Sequence, residues 1–287
     1  MTNEPAPGEL DDAVVEEALG HHVDRAVAAA VAREGQARAS LIAVDALTDG
    51  VLPTDAVLRP PPRLRYPRWG WRRAVRFAVE RRMYSRAYRA AFRRYLWHRL
   101  VHRHLELQGV VFTGRDVELY ARPGHGRLVI GPWCWIGNAN KLRAHEGQLT
   151  LGEKVVMGRD NVINAYLDIE VGGASILADW IYVVDFDHRF DRLDLPIKDQ
   201  GIVKSPVRIG RDVWVGEKAS ILRGVDIGDG SVIGSHCVVN RDIEPFSIAV
   251  GIPARTVRSR LPKGVDPEEA LASLRAGQPI PGDPLEG

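Results

Sequence analysis

His188 stands among three carboxylates, in the segment Asp185-Phe-Asp-His-Arg-Phe-Asp191. An unperturbed imidazole titrates near pH 6.5 (about 6.5 in model peptides), so a neutral one can take a proton from an attacking hydroxyl. Asp185 or Asp187 could accept a hydrogen bond from the other ring nitrogen and fix the tautomer. A solvated surface loop would have the same composition, so both readings stay open. A second polar group is Asn164, which closes Gly158-Arg-Asp-Asn-Val-Ile-Asn164. It follows a register isoleucine, where glycine is otherwise preferred, and by itself reads as a turn residue in the left-handed conformation. Two cysteines 103 positions apart, Cys134 and Cys237, make neither a disulfide framework nor a zinc site.

The elements that must position these groups follow from a repeat of six. Ile209, Val215, Ile221, Ile227, Ile233 and Val239 fall on one register, and Gly210, Gly216, Gly228 and Gly234 follow four of them. A second set of mostly small or β-branched residues comes four positions later: Val213, Ala219, Val225, Ser231, Cys237, Ile243. A less regular version runs upstream from Ile130-Gly131 to Val183. Period six is neither helical nor a plain strand alternation. It predicts short flat strands separated by turns, three to a coil, with coils stacked about 4.8 Å apart. The glycines are expected to supply a turn conformation closed to bulkier residues. Both cysteines occupy the fifth position of a hexad and read as packing residues. The register breaks once, between Val183 and Ile209, so a loop over 184–206 should leave the coil, carrying His188.

The run Val207-Arg-Ile-Gly-Arg-Asp-Val-Trp-Val-Gly216 continues through Ala219-Ser-Ile-Leu-Arg-Gly-Val-Asp-Ile-Gly228, Val232-Ile-Gly and Val238-Val-Asn-Arg-Asp-Ile-Glu-Pro245 to Gly251-Ile-Pro-Ala-Arg255. It resembles the hexapeptide-repeat acyltransferases, in the branch of the maltose, galactoside and polysaccharide O-acetyltransferases, over about 130–260. The resemblance implies a mainly β fold, a left-handed parallel β-helix, assembled as a homotrimer with acetyl-CoA in clefts between subunits and no metal. It implies that His188 is the general base and that attack on the thioester is direct, with Asn164 at the acceptor. The donor would lie on Trp214, Ser235, Asn240, Arg241, Arg255 and Arg258. Ser235-His236, Asn240-Arg241 and Glu217 depart from the residues common in that family. The implied reaction is acetyl transfer to a hydroxyl of a sugar or of a glycolipid or polysaccharide precursor. A serine O-acetyltransferase is an alternative, disfavoured by the Arg-Phe-Asp that follows His188. A γ-carbonic-anhydrase-like metal protein would need three converging histidines, and neither His145 nor His236 has the required spacing to His188. A non-catalytic β-helix scaffold completes the alternatives.

The net charge of +2 conceals three unlike blocks. Residues 1–55 hold 11 acidic against 3 basic residues, residues 56–104 hold 15 arginines against Glu80, and the remainder carries −4. No apolar run approaches the roughly 20 residues of a membrane-spanning helix, and the N-terminus has no secretory pattern. The expectation is a cytoplasmic protein, acting at the inner membrane surface if its acceptor is lipid-linked. Its organisation is expected to be an α-helical region over 1–107, a β-helix over 108–260, and a short helix with a disordered tail over 261–287. The N-terminal region would hold one helix over 10–47 and a basic one over about 69–105, separated by Pro53 and Pro60-Pro-Pro62. Phe77, Tyr84, Tyr88, Phe92, Tyr95 and Leu96 form an expected stripe on the second helix, with most arginines elsewhere. Three readings of that helix stay open: a cap on the β-helix, a membrane-surface helix, or a nucleic-acid binder. His98, His102 and His104 on it read as part of the stripe and cationic face, not as metal ligands. Asp266-Pro267 and Gly277 predict the start and end of the C-terminal helix.

Overall fold

Aliphatic residues on the six-residue register line the inside of a three-sided parallel β-solenoid, as a computed structural model of the chain shows. The structure describes residues 85–101 and 105–278, with Arg76, Val79 and Ile280 besides. The chain divides into two units, 1–57 and 58–287, and every described residue belongs to the second. The helix expected over 10–47, most of 69–84, His102, His104 and nearly all of the tail after 278 lie outside the described residues.

On the first face, Ile130, Leu151, Val171, Ile209 and Ile227 pair in one column. The second face stacks Ile136, Met157, Leu177, Val215, Ile233 and Ala249. Leu142, Ile163, Val183, Ile221 and Val239 form the third. All of them are buried, so each coil adds one apolar layer to a continuous core. The early coils are less regular because their first-face and third-face strands run to four or five residues, such as 147–151 and 162–165. The late strands, such as 226–227, have two.

The glycines of the repeat have a different cause from the one expected. Gly131, Gly137, Gly152, Gly158, Gly210, Gly216 and Gly228 are absent from the positive-φ residues. They are required by close approach of successive coils: a Cβ on Gly137 would lie 2.0 Å from the Gly158 carbonyl oxygen. The left-handed position comes two residues later and is filled mostly by other residue types, among them Ala139, Lys154, Asp160, Ala174, Trp180, Asp212, Lys218 and His236. Their amides repay the strain by donating to the coil beneath, as Ala139 does to Arg115 and His236 to Glu217.

Helix α1 (Arg86–Val101) closes the first coil. Ala91 and Tyr95 are buried, Tyr88 meets Phe112 and Trp135 edge-on, and Arg94 Nε donates to the Thr113 carbonyl at 2.7 Å. The expected single stripe is therefore split. Successive helical residues turn about 100°, so Tyr88 and Tyr95 face the solenoid while Phe92 and Leu96 face outward among the arginines. At the other end, helix α2 (Pro267–Ala276) begins and ends as expected. The Asp266 side chain accepts from the Glu268 amide, Pro267 opens the first turn, and Gly277 closes the helix at φ 68°. Ala270 is buried and Arg275 bonds Asp229 at 3.0 Å, which fixes α2 to the last coils.

Candidate active site

The break in the hexad register is a β-hairpin. Phe186–His188 pairs antiparallel with Ile202–Lys204, and His188 stands opposite Ile202. The excursion begins at the corner that follows the third face, next to Val184.

Asp185 is the hinge of this hairpin. Its side chain is fully buried and accepts from the amides of Tyr166 at 2.8 Å, Leu167 at 2.7 Å and Asp168 at 2.7 Å. Its carbonyl takes the Ser205 amide at 2.9 Å, which closes the hairpin base. Burial raises the Asp185 pKa above the ordinary carboxylate value, against the opposing pull of those three amides. Asp187 points to the coil and accepts from Arg223 Nε at 2.5 Å. Side chains alternate along a strand, so His188 projects to the opposite side, where it is exposed and meets the Phe186 ring edge-on. Neither aspartate is hydrogen-bonded to His188. The geometry found is not the orienting contact expected of them: their oxygens are engaged in holding the hairpin.

Two further ties were not foreseen. Lys204, on the returning strand, pairs with Glu146, and that hydrogen bond holds the Glu146 carboxyl below its ordinary pKa. A column of rings, Tyr120, His145, Tyr166 and Phe186, climbs the same corner with centroids 4.4–5.6 Å apart and ends beneath His188. Sequence spacing hides both, because Glu146 and Lys204 are 58 positions apart and the rings recur at the coil length, not at six. Arg223, nearly buried beside Asp187, is 36 positions away from it and carries no signal in the sequence either.

Asn164 lies in a strand, paired with Arg143 and Val184, and is not a left-handed turn residue. Its carboxamide oxygen is buried and makes no hydrogen bond. Register carries this column onward through Leu222 to Asn240, with Arg241 next, so Asn164, the His188 hairpin and Asn240-Arg241 share one corner. Trp214 and Arg258 lie instead on the second face, whose closing strand 255–259 returns antiparallel along Ser247–Val250. Ser235 and Arg255 sit at the corner between the second and third faces. All six candidate donor-binding residues are exposed. One chain therefore presents the candidate residues on two separate edges. His145 and His188 share one edge and His236 occupies the other, and no group of three or more potential metal ligands converges among the described residues. Cys134 and Cys237 are free and buried, and burial pushes the Cys134 thiol up to about 12.

The family described as "Bacterial transferase hexapeptide (six repeats)" matches residues 206–241, the coils with the strict register. This match and the observed solenoid make the chain similar to the hexapeptide-repeat transferases over those coils. It is 52% identical over 187 residues to a probable acetyltransferase of Mycobacterium tuberculosis, Rv3034c, which covers 65% of this chain and 62% of that protein. The chain thus spans under two thirds of that relative's length. A chloramphenicol acetyltransferase of Agrobacterium fabrum is 35% identical over 107 residues, 34% of this chain and 51% of that protein. Among solved structures, a mutant of AntD, an N-acyltransferase from Bacillus cereus in complex with dTDP and coenzyme A, shares the fold with a TM-score of 0.50 and 19% identity, covering 63% of this chain and 93% of that one.

Proposed function

We propose that this protein is an acetyl-CoA-dependent O-acetyltransferase acting on a hydroxyl of a sugar or of a glycolipid or polysaccharide precursor. The observation that carries the reading is the His188 hairpin, tied down at Asp185, Asp187 and Lys204 at the one break in a transferase-type hexapeptide solenoid. The relatives named acetyltransferases support the reaction class. His188 removes the hydroxyl proton as the acceptor oxygen attacks the thioester carbonyl. The C–O bond forms, the tetrahedral intermediate collapses with loss of the C–S bond, and the departing coenzyme A thiolate recovers the proton from the imidazolium. No acyl-enzyme is needed, and neither buried cysteine can reach a substrate. The unsatisfied Asn164 oxygen is suited to accept from the sugar hydroxyls. The arginines at 241, 255 and 258 are suited to the coenzyme A phosphates.

The same reading makes the protein a homotrimer with its sites between subunits. Two observations support this: the candidate residues occupy two edges of one chain, and the second face exposes the apolar column Val156, Ile176 and Trp214 at 41%, 49% and 54%. Acetyl-CoA as donor places the enzyme in the cytoplasm, facing the inner membrane when the acceptor is lipid-linked.

The test is release of coenzyme A thiol from acetyl-CoA across a panel of hydroxyl acceptors, wild type against His188→Ala. The expected result is a loss of about 10²–10⁴-fold with unchanged folding, since His188 is exposed. Equal turnover would remove His188 from the mechanism.

A further inference from the structure

Helix α1 packs one face on the solenoid, and its exposed face meets no partner among the described residues. Its sequence, RAYRAAFRRYLWHRLV, holds five arginines and no acidic residue. Phe92, Leu96 and Leu100, spaced by four, form an outward apolar row, and Trp97 stands beside it; the four are 43–67% exposed. Arg86, Arg89 and Arg93 line one wall of a cavity of about 760 Å³ between α1 and the first coil, with Val110, Phe112 and Trp133 among its other lining residues. None of these three arginines forms an ion pair among the described residues, and no acidic side chain lines the cavity.

We propose that α1 docks this face on an anionic lipid bilayer, with Arg86, Arg89 and Arg93 gripping lipid phosphates at the mouth of the cavity. Exposed aliphatic and aromatic side chains interleaved with arginines that make no ion pair among the described residues fit a headgroup boundary, where both kinds of group are satisfied together. A nucleic acid would use the arginines but would leave Leu96 and Leu100 in water. A second copy of the helix would bring five arginines against five. The helix lies on the bilayer and does not cross it: no described helix is long and apolar enough to span one. The inference stands on α1 alone and does not rest on the acetyltransferase reading.

The experiment is co-sedimentation of the full-length protein with phosphatidylcholine vesicles, with or without phosphatidylglycerol as a minor component, near physiological salt. Binding is expected only to the vesicles containing phosphatidylglycerol. Arg89→Gln with Arg93→Gln should weaken it about thirtyfold, from about 1 kcal/mol per basic residue at such a surface. Leu96→Ser with Leu100→Ser should also weaken it, and both pairs are exposed, so circular dichroism should show intact folding. Absence of vesicle binding, equal binding to both vesicles, or variants that bind like wild type would overturn the proposal. So would vesicle-independent binding of inorganic phosphate or duplex DNA through these arginines, or a change of oligomeric state in the Leu96/Leu100 variant. Turnover of acetyl-CoA with a soluble acceptor should be the same in all variants, which keeps this test separate from that of His188.

Discussion

Asp185 and His188 are three residues apart and have opposite physical situations. The carboxylate is buried on three backbone amides, while the imidazole is exposed. Hydrogen bonds to a charged group contribute about 1.5–3 kcal/mol each, and asparagine would turn an N–H₂ toward donors at one side. Asp185→Asn should therefore destabilise the protein by about 3 kcal/mol, read as a lower urea midpoint, with turnover falling because the hairpin loosens. If stability held while turnover vanished, Asp185 would belong to the chemistry instead. The thiols give a simpler expectation. With Cys134 pushed up to about 12 and both cysteines buried, a disulfide reagent should titrate no thiol in the native protein and two after unfolding. Rapid native labelling would contradict the packing role.

At the scale of the element, the turn between coils makes opposite demands two residues apart. Gly137→Ala sets a Cβ against the Gly158 carbonyl and should cost about 3 kcal/mol. Ala139→Gly relieves a φ of 56° and should gain about 0.5 kcal/mol, the strain removed less the added freedom of the unfolded chain. Thermal unfolding of the two variants checks both signs. The hairpin has its own pH dependence through Glu146, whose carboxyl is held low first by its hydrogen bond to Lys204. A depressed folded pKa means that the contribution is present above the unfolded value, about 4.3, and is lost as pH falls through the folded value. Protection of the amides over 186–204, taken relative to their intrinsic exchange rates, should fall on acidification below about pH 4, and Lys204→Met should remove that fall. An unchanged profile in the variant would show that another group controls the hairpin.

For the whole molecule, the separation of candidate residues onto two edges has a consequence for mixed assemblies. If each site joins the His188 edge of one chain to the Trp214 and Arg258 face of another, then His188→Ala and Arg258→Glu should each be inactive alone. Co-expressed, the two should recover part of the wild-type turnover, because some interfaces then combine two intact edges. No recovery, with mixed assemblies verified by mass, would mean that each chain holds its site alone. In the trimer proposed above, Ile176→Glu should separate the subunits in sedimentation velocity and abolish turnover together, since Ile176 is in the middle of the exposed column.

The amino-acid sequence alone determined the solenoid, because an inward aliphatic every sixth residue can be buried continuously only by stacking coils, and Ile209 to Val239 keep that register without a slip. It also determined where the excursion begins and the ends of α2, since register loss and a cap of Asp, Pro and Gly are local signals. The partners of the hairpin were decided by tertiary structure. Asp185 meets the amides of 166–168, Asp187 meets Arg223, and Lys204 meets Glu146. Each pair joins different coils, and the coil length varies with the strands it contains, so no fixed spacing marks them. The stripe on α1 split for a related reason: a helix carries apolar residues around its surface, and only the first coil decides which of them it buries. Glycine shows the same division. Its place in the repeat was legible, but its cause, a neighbouring carbonyl 2.0 Å from where a Cβ would stand, exists only once the coils are stacked.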